Sequence, residues 1–131
     1  MNFKKTLFLA TILISGNLFA IQTLACVGCT NLANDKGYSV EIAGYGYAAS
    51  YFGCSPPKKR NRARNCLSLS SEKLELFNEG FNGGYYRWKN GRYRYELNPI
   101  RNHPHLSYQL KVYNSKDKVI LNQTLYYEYE R

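Results

Sequence analysis

The sequence predicts an all-β, antiparallel domain: a β-sandwich of immunoglobulin or fibronectin type III-like character, stabilised by disulfides, with a small β-barrel as the alternative. Three observations carry that expectation. Apolar and polar residues alternate with period two along much of the chain, as in strands that bury one face. Turn residues break the alternation at short intervals, which suits about six to eight strands packed as a sandwich or barrel. All four cysteines fall after residue 25, as in small exported domains that pair their thiols.

The first 25 residues differ from the rest. Lys4 and Lys5 precede an almost wholly apolar run, Thr6 to Ile14, and a small residue follows at Ala20 or Ala25. This is the layout of a bacterial secretory signal, with an apolar run too short for a permanent membrane helix. The expectation is a signal peptide over residues 1–25 and a single β-rich domain over 26–131, exported to the periplasm or secreted. An alternative anchors the chain by a lipid on Cys26. Thr23 stands where such signals carry an aliphatic residue, and using Cys26 would leave an odd cysteine count in an oxidising compartment.

Disulfides among Cys26, Cys29, Cys54 and Cys66 are expected, with connectivity left open; pairing Cys54 with Cys66 would close the segment between them. A redox role for Cys26-Val-Gly-Cys29 is disfavoured, because such motifs open a helix beside a buried strand. A zinc site is disfavoured by the wide spacing of Cys54 and Cys66.

Strands are expected in order. Tyr38, Val40 and Ile42 alternate with polar neighbours, and Gly44-Tyr45-Gly46-Tyr47 reads as a bulge or bend before a strand over Ala48 to Cys54. Pro56 and Pro57 end that strand, and Leu67 and Leu69 begin the next. Ser71 to Gly80 fits either a short helix or a strand, and the neighbouring strands favour the second. Asn90-Gly91 predicts a two-residue hairpin turn within Tyr85 to Leu97. It would place Lys89 opposite Arg92, Trp88 opposite Tyr93, Arg87 opposite Arg94 and Tyr86 opposite Tyr95. One face would then carry Tyr86, Trp88, Tyr93, Tyr95 and Leu97, and the other Arg87, Lys89, Arg92 and Arg94. A second hairpin follows, with Leu106, Tyr108, Leu110 and Val112 alternating, a turn through Asn114 to Lys118, and a last strand from Val119 to Tyr129.

The chain is basic, with a formal net charge of +9 and 13 tyrosines. Two basic clusters stand out as candidate binding sites. One is Lys58, Lys59, Arg60, Arg62 and Arg64, between Cys54 and Cys66. The other is the outer hairpin face, Arg87, Lys89, Arg92 and Arg94, where like charges would face each other across the strands. Arginine-rich surfaces suit carboxylate and phosphate. No aromatics interleave the first cluster, which disfavours nucleic acid. Most tyrosines fall on alternating core positions, but Tyr126, Tyr127 and Tyr129 cannot all point one way, so some are exposed, as at protein interfaces.

Nothing specifies a reaction. His103 and His105 flank Pro104 without a recognisable partner set, and hydrolysis by them is a minor alternative. No nucleophile motif, phosphate loop, metal set or cofactor motif is present. The sequence therefore points to a non-enzymatic exported binding protein, whose basic and tyrosine-rich surface meets a protein partner of the envelope or of a host. A periplasmic inhibitor or immunity protein, and a binder of anionic envelope glycan or lipid, are the alternatives. A homodimer is compatible with the same surface.

Overall fold

The computed structural model describes residues 28–60, 63–80, 83–100 and 107–128. They form one antiparallel sheet of nine strands. These are β1 Thr30–Ala33, β2 Ser39–Ala43, β3 Ser50–Ser55, β4 Asn65–Leu69, β5 Leu74–Gly80, β6 Gly83–Asn90, β7 Tyr93–Pro99, β8 Ser107–Tyr113 and β9 Val119–Tyr127. The order across the sheet is β4-β3-β2-β1-β9-β8-β7-β6-β5. Two meanders, β1 to β4 and β5 to β9, are joined where Tyr126 and Tyr127 of β9 pair with Ala33 and Leu32 of β1.

The all-β antiparallel class is as expected. The two sheets of an immunoglobulin-type sandwich are replaced by one sheet that curls into a half-barrel. The reason is the β1–β9 pairing: what reads along the sequence as two groups of strands becomes a single ladder. Period-two alternation then puts one side chain in two on the concave face. Leu32, Val40, Ile42, Tyr51, Leu69, Tyr86, Trp88, Leu97, Tyr108, Leu110, Val112 and Leu125 are buried there. The curl lays Tyr51 of β3 against Trp88 of β6 and Tyr95 of β7, with ring centroids 5.3 and 5.4 Å apart. Two glycines make room for rings: Tyr51 lies over Gly53 and Phe77 over Gly84, each so close that a Cβ would collide.

Ser71 to Gly80 is a single 3-10 turn, Ser71–Lys73, followed by strand β5. A bulge between Leu74 and Leu76 re-aims the strand so that Phe77 packs against the core. β1 was not legible from alternation, because in its four residues only Leu32 is buried.

The register of the β6–β7 hairpin differs from the expected one. Asn90 pairs with Tyr93, so the turn residues are Gly91 and Arg92, and Gly91 takes φ +60°. A glycine at the first central position suits a type II′ turn. The shift leaves both faces as expected and exchanges partners: Trp88 faces Tyr95, Lys89 faces Arg94, and Arg87 faces Glu96. An opposite-charge pair thus replaces the expected Arg87–Arg94 repulsion, which favours this register by some tenths of a kcal/mol.

Candidate functional site at an end built from four turns

In a meander, alternate connections fall at the same end of the sheet. The β1–β2, β3–β4, β6–β7 and β8–β9 connections therefore share one end, as the pairs Ala33–Ser39, Ser55–Asn65, Asn90–Tyr93 and Tyr113–Val119 show. All four carry cations, so the described residues of both basic clusters read from the sequence lie towards this end. Sequence reading missed the contributions of Lys36, Lys116 and Lys118.

Two of these turns have the same construction. Asn34 Oδ1 accepts the backbone N–H groups of Lys36 and Tyr38 at 3.1 Å each. Asn114 Oδ1 accepts those of Lys116 and Lys118 at 2.9 and 3.0 Å. Each asparagine also donates its backbone N–H across the turn, to the Tyr38 and Lys118 carbonyls, and accepts at its own carbonyl from the N–H of Gly37 and Asp117 respectively. The residue before the turn closes has positive φ in both, +96° at Gly37 and 59° at Asp117. Asparagine side chains favour this by imitating a backbone turn. The signal that would have found these lysines is the shared Asn-x-Lys spacing.

Between the turns lies the mouth of the half-barrel, a cavity of about 310 Å³ lined by Tyr38, Tyr51, Leu67, Tyr95, Ile120 and Leu121 among others. Its size is at the small end of the range for ligand and side-chain pockets, about 300–1,000 Å³. Burial, with some help from neighbouring Tyr95, pushes the Tyr51 phenol far above the ordinary tyrosine range. The floor is thus an apolar, neutral surface with a polar atom on a ring. Val119 and Ile120 stand beside it, 41% and 51% exposed.

The β3–β4 loop is fastened at its base. Cys54 and Cys66 are directly opposite each other and form a disulfide. Arg64 Nη2 donates to the Gly37 carbonyl at 2.6 Å and to Ser39 Oγ at 3.0 Å, tying the loop to the β1–β2 hairpin. Arg64, though exposed, is therefore a structural brace through its bonds to Gly37 and Ser39; Lys58, Lys59 and Arg60 are exposed too. Arg62 and Cys26 lie outside the described residues, and Cys29 is disulfide-bonded.

The outer face of the β6–β7 hairpin departs from the expected cationic surface. Arg94 donates to Glu96 and Asp117, both at 2.7 Å, and its guanidinium lies 4.1 Å over the Tyr113 ring. The bonds to Asp117 and Glu96 hold its proton more tightly still. Arg87 stands 3.6 Å from Glu75. Two of the four cations are thus engaged by carboxylates, while Lys89 and Arg92 are exposed near the turn. A groove lined by Arg87, Lys89, Arg92 and Arg94 with Glu75 and Asp117 runs along this face.

Among the described residues no three His, Cys, Asp or Glu side chains gather as a metal site, and no helix is long and apolar enough to cross a membrane. His103 and His105 lie outside the described residues. Set against known proteins, the chain matches no family model, no curated protein and no solved structure.

Proposed function

We propose that the chain is an exported, non-enzymatic binding protein whose open end captures an acidic protein partner. The observation that carries this reading is that four cation-bearing turns lie at one end of the strand ladder, where an apolar mouth opens. The mouth supplies area for an apolar side chain, and half-buried tyrosines around it can bond to a partner's backbone. The surrounding lysines and arginines supply attraction and orientation for carboxylates. The leader-like layout of residues 1–25 in the sequence and the Cys54–Cys66 disulfide support export.

The test is capture from envelope and secreted fractions with the immobilised disulfide-bonded domain and its Lys58→Glu/Lys59→Glu/Arg60→Glu variant. The wild type should retain an acidic protein that salt releases, because exposed charges are screened, and the variant should retain none. Equal capture by both, or capture by neither, overturns the reading. Binding of an anionic glycan or lipid would leave the mouth idle. An Ile120→Asp variant that still binds such a surface with wild-type affinity would favour that alternative.

A further inference from the structure

The way β9 meets β1 says how a partner would be held. β9 has nine residues, Val119–Tyr127, yet β1 pairs with only Tyr126 and Tyr127, the Glu128 N–H adding a bond to the Asn31 carbonyl at 2.8 Å. Above these the β1–β2 hairpin makes no further ladder pair with β9. The next place in the ladder is taken by a side chain: Asn34 Nδ2 donates to the Thr124 carbonyl at 3.1 Å and to Gln123 Oε1 at 3.0 Å. Beyond Asn34, no described strand pairs with β9 on that side.

The free peptide groups have a definite direction. Glu128 N–H and Thr124 C=O both point towards β1. Strand geometry repeats every second residue, so the Asn122 N–H and C=O point the same way and away from β8. Inward-facing Leu121 and exposed Ile120 flank this edge and line the mouth. A strand laid along β9 above Asn34 would continue the line of β1, and every second side chain of it would face the mouth.

We propose that the acidic partner is bound by strand addition: an extended segment pairs with the outward edge of β9 at Asn122, between the Asn34–Thr124 bond and the bulge at Val119–Leu121, and closes the mouth with its own apolar side chains. This rests on reading the open end as the binding site. Main-chain bonds then give affinity and the pocket gives selectivity, the usual division in strand addition.

The charges choose the occupant. Lys116 and Lys118 lead into β9, and Lys36 sits in the hairpin that stops short of it. Lysines at a free edge oppose pairing between two copies of one chain, because like charges meet across such a joint. The same lysines attract a guest with acids on its outward positions. Of the two terminal strands of the sheet, β4 and β5, the second is overlaid by the Gly44–Ala49 connection through Tyr45 and Tyr47.

The probe is a fluorescent, end-capped peptide of alternating residues, Glu-Val-Glu-Leu-Glu-Val, added to the disulfide-bonded domain. Asn122→Pro removes the outward N–H and leaves the β8 ladder intact, since proline is tolerated where an edge N–H faces solvent. Asn122→Ala is its control, losing only the side-chain bond from Gln109. Thermal unfolding checks that both variants fold. Asn122→Pro should weaken peptide binding by about tenfold, the worth of a lost hydrogen bond with its displaced neighbours, while Asn122→Ala binds like wild type. N-methylation of alternate peptide amides should abolish binding in one phase and spare it in the other. Equal affinity of the proline and alanine variants, equal effects of the two methylation phases, or no binding by the wild type would each overturn strand addition. If the proline variant still captures the partner and the Lys58→Glu/Lys59→Glu/Arg60→Glu variant does not, strand addition falls and the binding end stands.

Discussion

The two ends of the half-barrel use the same materials, aromatic rings and short connections, to opposite effect. At the lower end the Gly44–Ala49 connection laps over edge strand β5. Tyr45 and Tyr47 set their rings edge-on to Phe77, with centroids 5.5 and 5.8 Å away. The Tyr45 hydroxyl bonds Glu79 and the Tyr47 hydroxyl reaches the Phe77 carbonyl. Gly44 permits the fold-over: at φ +91° a Cβ would lie 2.7 Å from the Ala48 carbonyl oxygen. Ala49 and Trp88 beneath it are wholly buried, and the Trp88 Nε1–H donates to the Ala49 carbonyl at 3.2 Å. At the upper end β1 is too short to cover β9, the rings of Tyr38 and Tyr95 are only half-buried, and the turns carry charge that cannot be packed inside. Closure at one end and openness at the other follow from connection length and strand length.

If that contrast is correct, truncation should be felt most beneath the Gly44–Ala49 connection, which the Trp88 side chain reaches from β6. Trp88 stacks on Tyr86 with centroids 5.2 Å apart. Trp88→Ala should cost about 3–5 kcal/mol, the usual range for removing a large buried aromatic, measured by denaturant unfolding. Ile120→Ser, at the open end, should shift the midpoint little. Comparable losses at both positions would break the comparison.

The disulfide belongs to the upper end but acts through the unfolded chain. Cys54 and Cys66 are 12 residues apart, and removing a cross-link that closes a loop of this size costs about 2–4 kcal/mol. The Cys54→Ala/Cys66→Ala variant should therefore unfold earlier. It should also lose partner capture at temperatures where it remains folded, because the basic loop is freed at its base. Retained capture would show that the loop needs no fastening.

Alkali offers a graded test of the inner wall. Burial pushes the Tyr108 phenol up to about 12, and the Tyr51 phenol higher, in both cases chiefly through desolvation. An unfolded tyrosine titrates near about pH 10. The folded state thus holds these protons more tightly, so stability is intact below about pH 10 and falls as pH rises through the folded value. Tyr108→Phe and Tyr51→Phe should lose less stability than wild type between these limits in unfolding measured at successive pH values. Parallel curves would show that these phenols are wet.

Alternation made the faces of the β6–β7 hairpin legible, since Tyr86 and Trp88 must oppose Arg87 and Lys89 whatever the turn. It could not choose between Asn90-Gly91 and Gly91-Arg92, because both turns preserve those faces. The choice depends on a partner four residues beyond the turn, Glu96, which faces Arg87. The gathering of the basic turns at one end was hidden for a related reason. It requires the meander and the joint between Ala33 and Tyr126, a contact between the two ends of the chain that no local pattern reports. Arg64 reads as a free cation because its acceptors, Gly37 and Ser39, are distant in sequence, and so is Asp117, one of the two carboxylates that hold Arg94; the other, Glu96, is two residues away on the same strand face.

That distinction between braces and free charges gives the smallest expected effect on stability. Lys58, Lys59 and Arg60 are exposed, and exposed charges contribute little to folding. Reversing all three to glutamate should leave the unfolding midpoint where it was while removing salt-sensitive capture. Arg64→Ala should do the reverse in part: it breaks the bonds to Gly37 and Ser39, so the loop should exchange its amide hydrogens faster and the midpoint should fall. Should Arg64→Ala leave both exchange and midpoint untouched, the upper end would be held by the disulfide alone. The basic residues would then all be equivalent, and the division of this end into braces and contacts would be lost.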